Sequence, residues 1–85
     1  MSPQPPRITS EQMRAARGLL RWSQHDLATH SGVSVATIKR MESETGPLGG
    51  YQMTANTLRR TFEDAGVEFI GENGGGVGVR FRERG

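Results

Sequence analysis

The sequence predicts a mainly α-helical fold of about four helices that ends in a two-stranded β-hairpin. Two observations carry this prediction. Before Gly66, apolar residues recur at the three- and four-residue spacing of amphipathic helices, behind residues that favour helix starts. After Gly66, two short runs alternate apolar and other residues, which is the two-residue period of strands. The run "ETGPLGGYQ" separates the third helix from the fourth, because its proline and three glycines do not continue a helix.

Length and composition restrict the class of protein. The chain has 85 residues, enough for one small domain with a modest core. It has no cysteine, which excludes disulfides and thiolate metal sites, and no apolar stretch long enough to span a bilayer. We therefore expect a cytoplasmic protein with no membrane partner. Because 11 basic and 9 acidic residues leave a net charge of only +2, the placement of charge matters more than its sum.

Residues with short polar side chains mark the helix starts. Thr9 or Ser10 begins the first helix, and Gln12 follows Thr9 at the spacing of a capping box. Ser23, with an aspartate three residues later, begins the second helix, and Ser34 begins the third. These helices are predicted to end near residues 20, 32 and 43, and the fourth runs from about residue 54 to 65. The side chains predicted to face inward are Met13, Ala16, Leu19, Leu20, Leu27, Ala28, Ile38, Met41, Leu58, Phe62 and Ala65.

The chain divides into three parts. Residues 1–8 hold three of the four prolines and are predicted to form a loose arm. Residues 9–66 form the helical domain, and residues 67–85 form the hairpin. Its strands, "VEFI" and "VGVRFR", are separated by the loose loop "GENGGG". Val77, Val79 and Phe81 are predicted to share one face of the second strand, with Arg80 and Arg82 on the other.

The junction of the second and third helices is unusually short. Gly32 permits the positive φ of a tight turn, and Ser34 already begins the next helix. That leaves too little chain for an antiparallel pair, so the helix axes must cross steeply, as in a helix-turn-helix. Such a unit places its second helix in the major groove of DNA.

The stretch "SQHDLATHSGVSVATIKRME" resembles the Cro/C1-type (XRE) helix-turn-helix family of regulators. The matching features are Ser23-Gln24, Leu27-Ala28, Ser31-Gly32-Val33-Ser34, Thr37-Ile38 and Met41-Glu42. With the flanking helices, the resemblance extends over about residues 9–66. It implies a lambda-repressor-like bundle that binds double-stranded operator DNA, usually as a homodimer. The glycine-rich loop at residues 44–53 and the strand pair, which stands in place of a fifth helix, depart from the family pattern.

The resemblance also implies the residues that contact DNA. Arg40 can bind guanine O6 and N7 with both arms of its guanidinium group, and Gln24, at the start of the second helix, is matched with a phosphate ligand. The predicted base contacts are Val35, Ala36, Thr37, Lys39 and Arg40. The predicted backbone contacts are Gln24, Ser34, Ser43 and Thr45.

Each of these assignments competes with a plainer interpretation. Lys39 and Arg40 are also typical of ordinary solvated charges on a helix surface, and Gln24 of an exposed N-terminal residue. The resemblance pairs Arg17 with Glu42 as a structural brace in preference to a phosphate contact. Trp22 is predicted to fill the core at a helix junction.

The hairpin is the predicted dimerisation segment. An isolated hairpin is marginally stable in water, so it must pack on something. It either pairs with a second copy along its open edge or covers the core of its own monomer. The residues assigned to dimerisation are Val67, Phe69, Val77, Val79 and Phe81.

The predicted function is a DNA-binding transcriptional regulator, most simply a dimeric repressor reading an inverted repeat. The alternative is an antitoxin-like or other adaptor that binds a small protein partner and regulates its own promoter. A helix-turn-helix scaffold without a nucleic-acid role is the third interpretation. No pair of nucleophile and base suggests an enzyme, and no cofactor is predicted. His25 and His30 lie five residues apart without a cysteine, which is a poor arrangement for a metal site.

Overall fold

The computed structural model describes residues 7–45 and 52–82, and they form four helices and one hairpin. The elements are α1 (Ser10–Leu20), α2 (Gln24–Ser31), α3 (Val35–Glu42), α4 (Gln52–Asp64), β1 (Val67–Ile70) and β2 (Gly78–Phe81). The predicted fold class is confirmed. Most of the predicted arm, residues 1–6, lies outside the described residues. None of the helices within the described ranges is long and apolar enough to cross a membrane.

The helix starts are capped as the sequence predicts. The Thr9 hydroxyl accepts the Gln12 backbone N–H (3.0 Å), while the Gln12 side-chain oxygen accepts the Thr9 N–H (2.9 Å). Ser23 and Asp26 make the same reciprocal pair before α2, at 3.0 and 2.8 Å. These bonds satisfy backbone N–H groups that have no partner within the helix itself.

Two helix ends turn through the left-handed region. Gly32 ends α2 at a φ of 77°, as predicted. Helix α1 ends in the same left-handed conformation without a glycine. Arg21 adopts it there, at a φ of 57°. There, the Trp22 N–H donates to the Arg17 carbonyl oxygen (2.9 Å) and the Arg21 N–H to that of Gly18 (3.2 Å). This is the hydrogen-bond pattern of a Schellman motif.

The core lies among the helices and under β1. Its fully buried large side chains include Met13, Leu27, Ile38, Met41, Leu58, Phe62 and Val67. Leu19, Leu20 and Ala28 pack at the edge of this core. Ala65 was predicted to be buried but is only half-buried, because it follows the last residue of α4. Trp22 also packs at the edge, with its ring centroid 6.0 Å from that of Phe62. Helix α4 begins two residues before the predicted start.

The hairpin packs on its own monomer. Its strands are antiparallel, with Val67 opposite Phe81 and Phe69 opposite Val79. Val67 is completely buried, and Phe69 and Val79 pack against the core. The prediction that Val77 shares a strand face is wrong, because β2 begins at Gly78 and Val77 belongs to the preceding loop.

Hydrogen bonds hold the loop between the two strands, whereas the sequence predicted a loose connection. The Glu72 carboxylate accepts the backbone N–H groups of Gly74 (2.9 Å) and Gly76 (3.0 Å), and the Asn73 side chain accepts that of Gly75 (3.2 Å). Gly74 and Gly76 have positive φ values, which other residues rarely adopt. The order of the loop explains why strand pairing starts only after it.

The first turn of α1 joins the hairpin to α3. The buried Gln12 amide donates to the carbonyl oxygens of Ile70 (3.1 Å) and Gly78 (2.9 Å), where the two strands open into the loop. The neighbouring Ser10 hydroxyl donates to the Met41 carbonyl oxygen (2.8 Å) near the end of α3. Within the described residues, every buried side-chain nitrogen and oxygen has a hydrogen-bond partner.

Candidate nucleic-acid interface

Helices α2 and α3 are separated by three residues and held together by a buried contact surface. The Gly32 N–H donates to the Ala28 carbonyl oxygen (2.9 Å), which closes α2. Leu27 of α2 and Ile38 of α3 are completely buried, and Val33 packs between the helices and the core. This packing fixes one face of α3 against the protein and leaves the other face toward solvent.

The predicted base contacts lie together on the outer side of α3. Ala36, Lys39 and Arg40 are exposed, and Val35 and Thr37 are half-buried. The face turned inward carries Ile38, Met41 and Glu42. All five predicted residues therefore reach the surface of one short helix. An α-helix with its side chains is about 10–12 Å across, which matches a major groove of about 12 Å.

The charge on this outer side is positive, and no salt bridge among the described residues neutralises it. Three other basic residues in the described ranges form salt bridges: Arg17 with Glu42, Arg59 with Glu63, and Arg80 with Glu68. No acidic partner for Lys39 or Arg40 is found among the described residues. The acidic residue of α3, Glu42, is buried and points away from the outer side.

Glu42 is the centre of a network that holds α1, α2 and α3. Arg17 contacts both carboxylate oxygens at 2.7 Å and donates to the Trp22 carbonyl oxygen at 3.0 Å. The hydrogen bond to Glu42 raises the pKa of Arg17 above its ordinary value, although burial acts against it. Arg14 donates to the Glu42 carbonyl oxygen. The pairing of Arg17 with Glu42 that the resemblance implies is present.

The predicted phosphate contacts are mostly engaged within the protein. The Gln24 amide donates to Glu42 Oε1 (3.0 Å), a contact that sequence spacing gave no signal for. The Ser34 hydroxyl bonds with Thr37, and that of Ser43 donates to the Arg40 carbonyl oxygen (2.7 Å). Thr45 is exposed after α3. These bonds hold the side chains in place at the two ends of α3 and at the start of α2.

The residues assigned to dimerisation do not form one exposed surface. Val67 is completely buried, so a contact with its own core replaces the predicted contact with a second copy. Phe69 and Val79 are half-buried against that core. Val77 and Phe81 remain accessible, each with 47 % of its surface exposed. Phe69 and Val77 also line a cleft of about 240 Å³ beside α4.

The two histidines belong to α2 and are exposed. The ring of His30 stacks on that of Trp22, with centroids 4.2 Å apart and planes inclined by 6°. No pattern in the sequence indicated this contact between Trp22 and His30. In the described part of the chain, no three metal-binding side chains come together.

Comparison with known families agrees with this geometry. A family model described as Helix-turn-helix matches residues 13–49. The match supports the resemblance of this segment to the Cro/C1-type (XRE) helix-turn-helix family. The match runs from within α1 through α3, and it does not include α4 or the hairpin. The family is a DNA-binding, regulatory and generally non-enzymatic one, which indicates a DNA-binding transcription regulator. A search of curated proteins finds none that matches this chain.

Proposed function

We propose that this protein is a sequence-specific regulator that reads double-stranded DNA with α3. The observation that carries the proposal is the outer side of α3. It presents Lys39 and Arg40 without an acidic partner in the described ranges, while Glu42 is buried on the opposite side and paired with Arg17. This distribution favours a polyanion in front of the helix.

The side chains of α3 suit different features of a base edge. Arg40 can bind guanine O6 and N7 together, and Lys39 can bind the same acceptors or a phosphate. Val35 and Ala36 suit the methyl group of thymine. Thr37 offers both a hydroxyl and a methyl group. Few of these groups form bidentate hydrogen bonds, so DNA shape and backbone contacts contribute to specificity in our proposal.

The backbone contacts are assigned to Gln24, Ser34, Ser43 and Thr45. Gln24 is compatible with this role because its amide nitrogen carries two hydrogens and only one is donated to Glu42. The second hydrogen is available for a phosphate oxygen. Glu42 would then orient Gln24 toward the DNA backbone. Its negative charge is offset by Arg17.

We also propose a homodimer formed through the outer edge of β2. The Arg82 N–H donates to the Gly66 carbonyl oxygen (2.8 Å), so the next pair, Val67 and Phe81, is not hydrogen-bonded. By the same alternation, the backbone groups of Val79 and Phe81 point away from β1. No backbone partner for them is found within residues 7–45 and 52–82. An open strand edge beside a half-exposed Phe81 favours pairing with a second copy.

The dimer is tested by Phe81→Glu, with Met53→Glu as the matched control. Met53 is 84 % exposed at the start of α4, so the control adds the same charge at another apolar surface residue. Sedimentation velocity is expected to give a dimer for the wild type and the control, and a monomer for Phe81→Glu. A Phe81→Glu protein that is folded and still dimeric would rule out this interface.

A small domain bound at an operator blocks a promoter most simply by sterically excluding RNA polymerase, so we propose that the protein is a repressor. We propose that it acts in the cytoplasm. The test is a reporter gene driven by the region upstream of the protein's own gene. We expect lower expression when the protein is supplied, and recovery with Arg40→Ala. Higher expression with the wild-type protein would indicate an activator.

The proposed DNA binding is tested by fluorescence anisotropy on a labelled duplex from the same upstream region, with scrambled duplex as competitor. Arg40→Ala is compared with Arg60→Ala, which removes an exposed arginine from α4. We expect Arg40→Ala to weaken binding about 5- to 100-fold, as for loss of a bidentate base contact, and Arg60→Ala to have little effect. Equal, weak binding of both duplexes by all three proteins would contradict sequence reading and would direct attention to a protein partner.

A further inference from the structure

The loop between β1 and β2 contains the dipeptide Asn73-Gly74, and both of its residues are exposed. Asparagine is a thermally labile residue, because the backbone nitrogen of the residue that follows it can attack its side-chain amide carbon. A glycine in second place puts no Cβ atom beside that nitrogen, so the attack is unhindered. The sequence and the exposure of this loop therefore point to a chemical reaction within the chain itself.

The chain contains one other asparagine, Asn56, whose surroundings oppose the same reaction. Asn56 lies within α4 and precedes Thr57, whose branched side chain crowds the attacking nitrogen. A backbone N–H group inside a helix is also held by its hydrogen bond to the carbonyl oxygen four residues earlier. Asn56 is therefore an internal reference for Asn73 in the same molecule.

Two hydrogen bonds of the loop involve the reacting groups. The Gly75 backbone N–H donates to Asn73 Oδ1 (3.2 Å). This oxygen gains negative charge when the amide carbon is attacked, so the contact favours the reaction. The Gly74 backbone N–H donates to Glu72 Oε1 (2.9 Å). The Gly74 nitrogen loses this proton in order to attack, and a neighbouring carboxylate disfavours a second negative charge. Glu72 therefore opposes the reaction that the other hydrogen bond favours.

We propose that Asn73 is a site of spontaneous deamidation and that Glu72 restrains its rate. The Gly74 nitrogen gives its proton to hydroxide from the solvent and forms a bond to Asn73 Cγ. The bond from Cγ to the side-chain nitrogen breaks, and the leaving group takes a proton from water and departs as ammonia. Water then opens the resulting succinimide ring at either carbonyl carbon. The net reaction consumes one water molecule and converts Asn73 into aspartate or isoaspartate.

Either product weakens the loop. Both place a second carboxylate beside Glu72, and like charges on adjacent residues of a tight loop repel. In isoaspartate the main chain runs through the former side chain, so it is longer between Glu72 and the N–H groups of Gly74 and Gly76 that Glu72 accepts. Deamidation therefore alters the hairpin at the end where Gln12 bonds to both strands.

The experiment incubates the full-length wild type, Glu72→Gln and Glu44→Gln at neutral pH and follows deamidation by peptide mass spectrometry. Trypsin cuts after arginine and separates the two asparagines, which fall in peptides 41–59 and 61–80. Glu44→Gln is the matched control, because it removes an exposed carboxylate outside the loop. The reaction needs no DNA, so its test is independent of the proposed function.

We expect aspartate and isoaspartate to accumulate at Asn73 well before any conversion of Asn56. Glu72→Gln is expected to speed the reaction about 3- to 10-fold, as for loss of one hydrogen bond to the attacking nitrogen, and the control to keep the wild-type rate. Synthetic peptides of residues 61–80 with and without this substitution give its effect outside the fold, which is expected to be smaller.

Conversion of Asn73 that is no faster than that of Asn56 overturns the modification site. A Glu72→Gln protein that reacts at the wild-type rate or more slowly overturns the restraint, and so does an equal acceleration in the synthetic peptides.

The effect of the product on the loop is measured by urea denaturation of Asn73→Asp, with Asn56→Asp as the control for charge. We expect a lower denaturation midpoint for Asn73→Asp than for the wild type and the control. An Asn73→Asp protein as stable as the wild type would show that the new carboxylate leaves the loop intact.

Discussion

At the scale of single residues, Glu42 joins three helices through one carboxylate. It lies on α3, accepts both arms of the Arg17 guanidinium from α1 and accepts the Gln24 amide from α2. Its side chain is 5 % exposed and that of Arg17 is 21 % exposed, so the pair is well shielded from solvent. Removal of the cation from such a pair leaves a shielded carboxylate without a compensating charge, which strongly destabilises the folded state.

Arg17→Met is therefore expected to lower the free energy of unfolding by about 2–4 kcal/mol, with the Gln24 hydrogen bond retaining part of the stabilisation. Arg80→Met is the control, because the salt bridge of Arg80 with Glu68 has side chains that are 63 % and 44 % exposed. We expect less than about 1 kcal/mol for it. Urea denaturation measures both. Equal effects of the two substitutions would contradict the role assigned to Glu42.

The Glu72 loop makes stability depend on pH. Hydrogen bonds from Gly76 and Gly74 lower the pKa of Glu72 below its ordinary value of 4.5. Because the pKa of Glu72 is lower in the folded than in the unfolded state, the ionised carboxylate stabilises the fold fully above the ordinary pKa. This stabilisation is lost as the pH falls through the pKa of the folded state. The wild type should therefore exceed Glu72→Gln in stability at neutral pH, and the difference should disappear in acid.

Urea denaturation across a pH series measures this difference. Glu44→Gln, which removes a carboxylate from the exposed residue after Ser43, is the control for net charge. A constant difference between the wild type and Glu72→Gln down to the acid limit would contradict the linkage.

Local contacts of single residues were predictable and distant ones were not. The capping partners of Thr9 and Ser23 lie three residues away, where spacing alone specifies the contact. The hydrogen bonds of Gln12 reach partners in the hairpin that lie 58 and 66 residues further along the chain. The hydrogen bond of Gln24 to Glu42 spans 18 residues. Such contacts depend on how the helices pack, which no local pattern contains.

At the scale of elements, the ends of α1 and α2 adopt the same backbone conformation with different residues. Gly32 meets the left-handed φ without strain, and Arg21 does not, since this conformation costs about 1–2 kcal/mol for a residue with a Cβ atom. We expect Gly32→Ala to destabilise the protein by about 1 kcal/mol, and Arg21→Gly to stabilise it by about 0.5–1 kcal/mol.

Thermal unfolding of the two variants and the wild type measures both changes. No neighbouring atom lies within 4 Å of a Cβ added at Gly32, so the effect of alanine there reports backbone conformation and not a clash. A stabilising Gly32→Ala, or a destabilising Arg21→Gly, would contradict this account of the helix ends.

The types of the elements followed from their periods, whereas their exact ends did not. The helical spacing before Gly66 and the alternation after it predicted all four helices and both strands. Val77 fits the alternating pattern, yet the bonds of Glu72 to Gly74 and Gly76 hold the preceding residues in a loop. The start of β2 therefore depends on the hydrogen bonds of the Glu72 carboxylate, which the pattern of apolar residues does not indicate.

At the scale of the whole molecule, the hairpin belongs to the same core as the helices in our account. Val67 is completely buried, Phe69 lies 5.9 Å from Phe62 between ring centroids, and Gln12 bonds to both strands. If the hairpin served for dimerisation, as the sequence predicted, a chain lacking residues 67–85 would be a monomer that binds DNA poorly.

With this packing, we expect truncation after Gly66 to unfold the helical domain, because it opens the core at Val67 and Phe69. Circular dichroism and thermal unfolding measure the result, with the full chain as the reference. A truncated chain that keeps the helical signal and a cooperative transition would show that the hairpin is a separate appendage.

The central claim is that the outer side of α3 faces DNA. An NMR titration of the ¹⁵N-labelled protein with the duplex from its own upstream region tests it residue by residue, with a scrambled duplex as the reference. We predict that the largest amide shifts fall on residues 34–40 and at Gln24, and that the exposed residues of α4 change little. Shifts concentrated on α4 or the hairpin, with the amides of α3 unchanged, would contradict the claim.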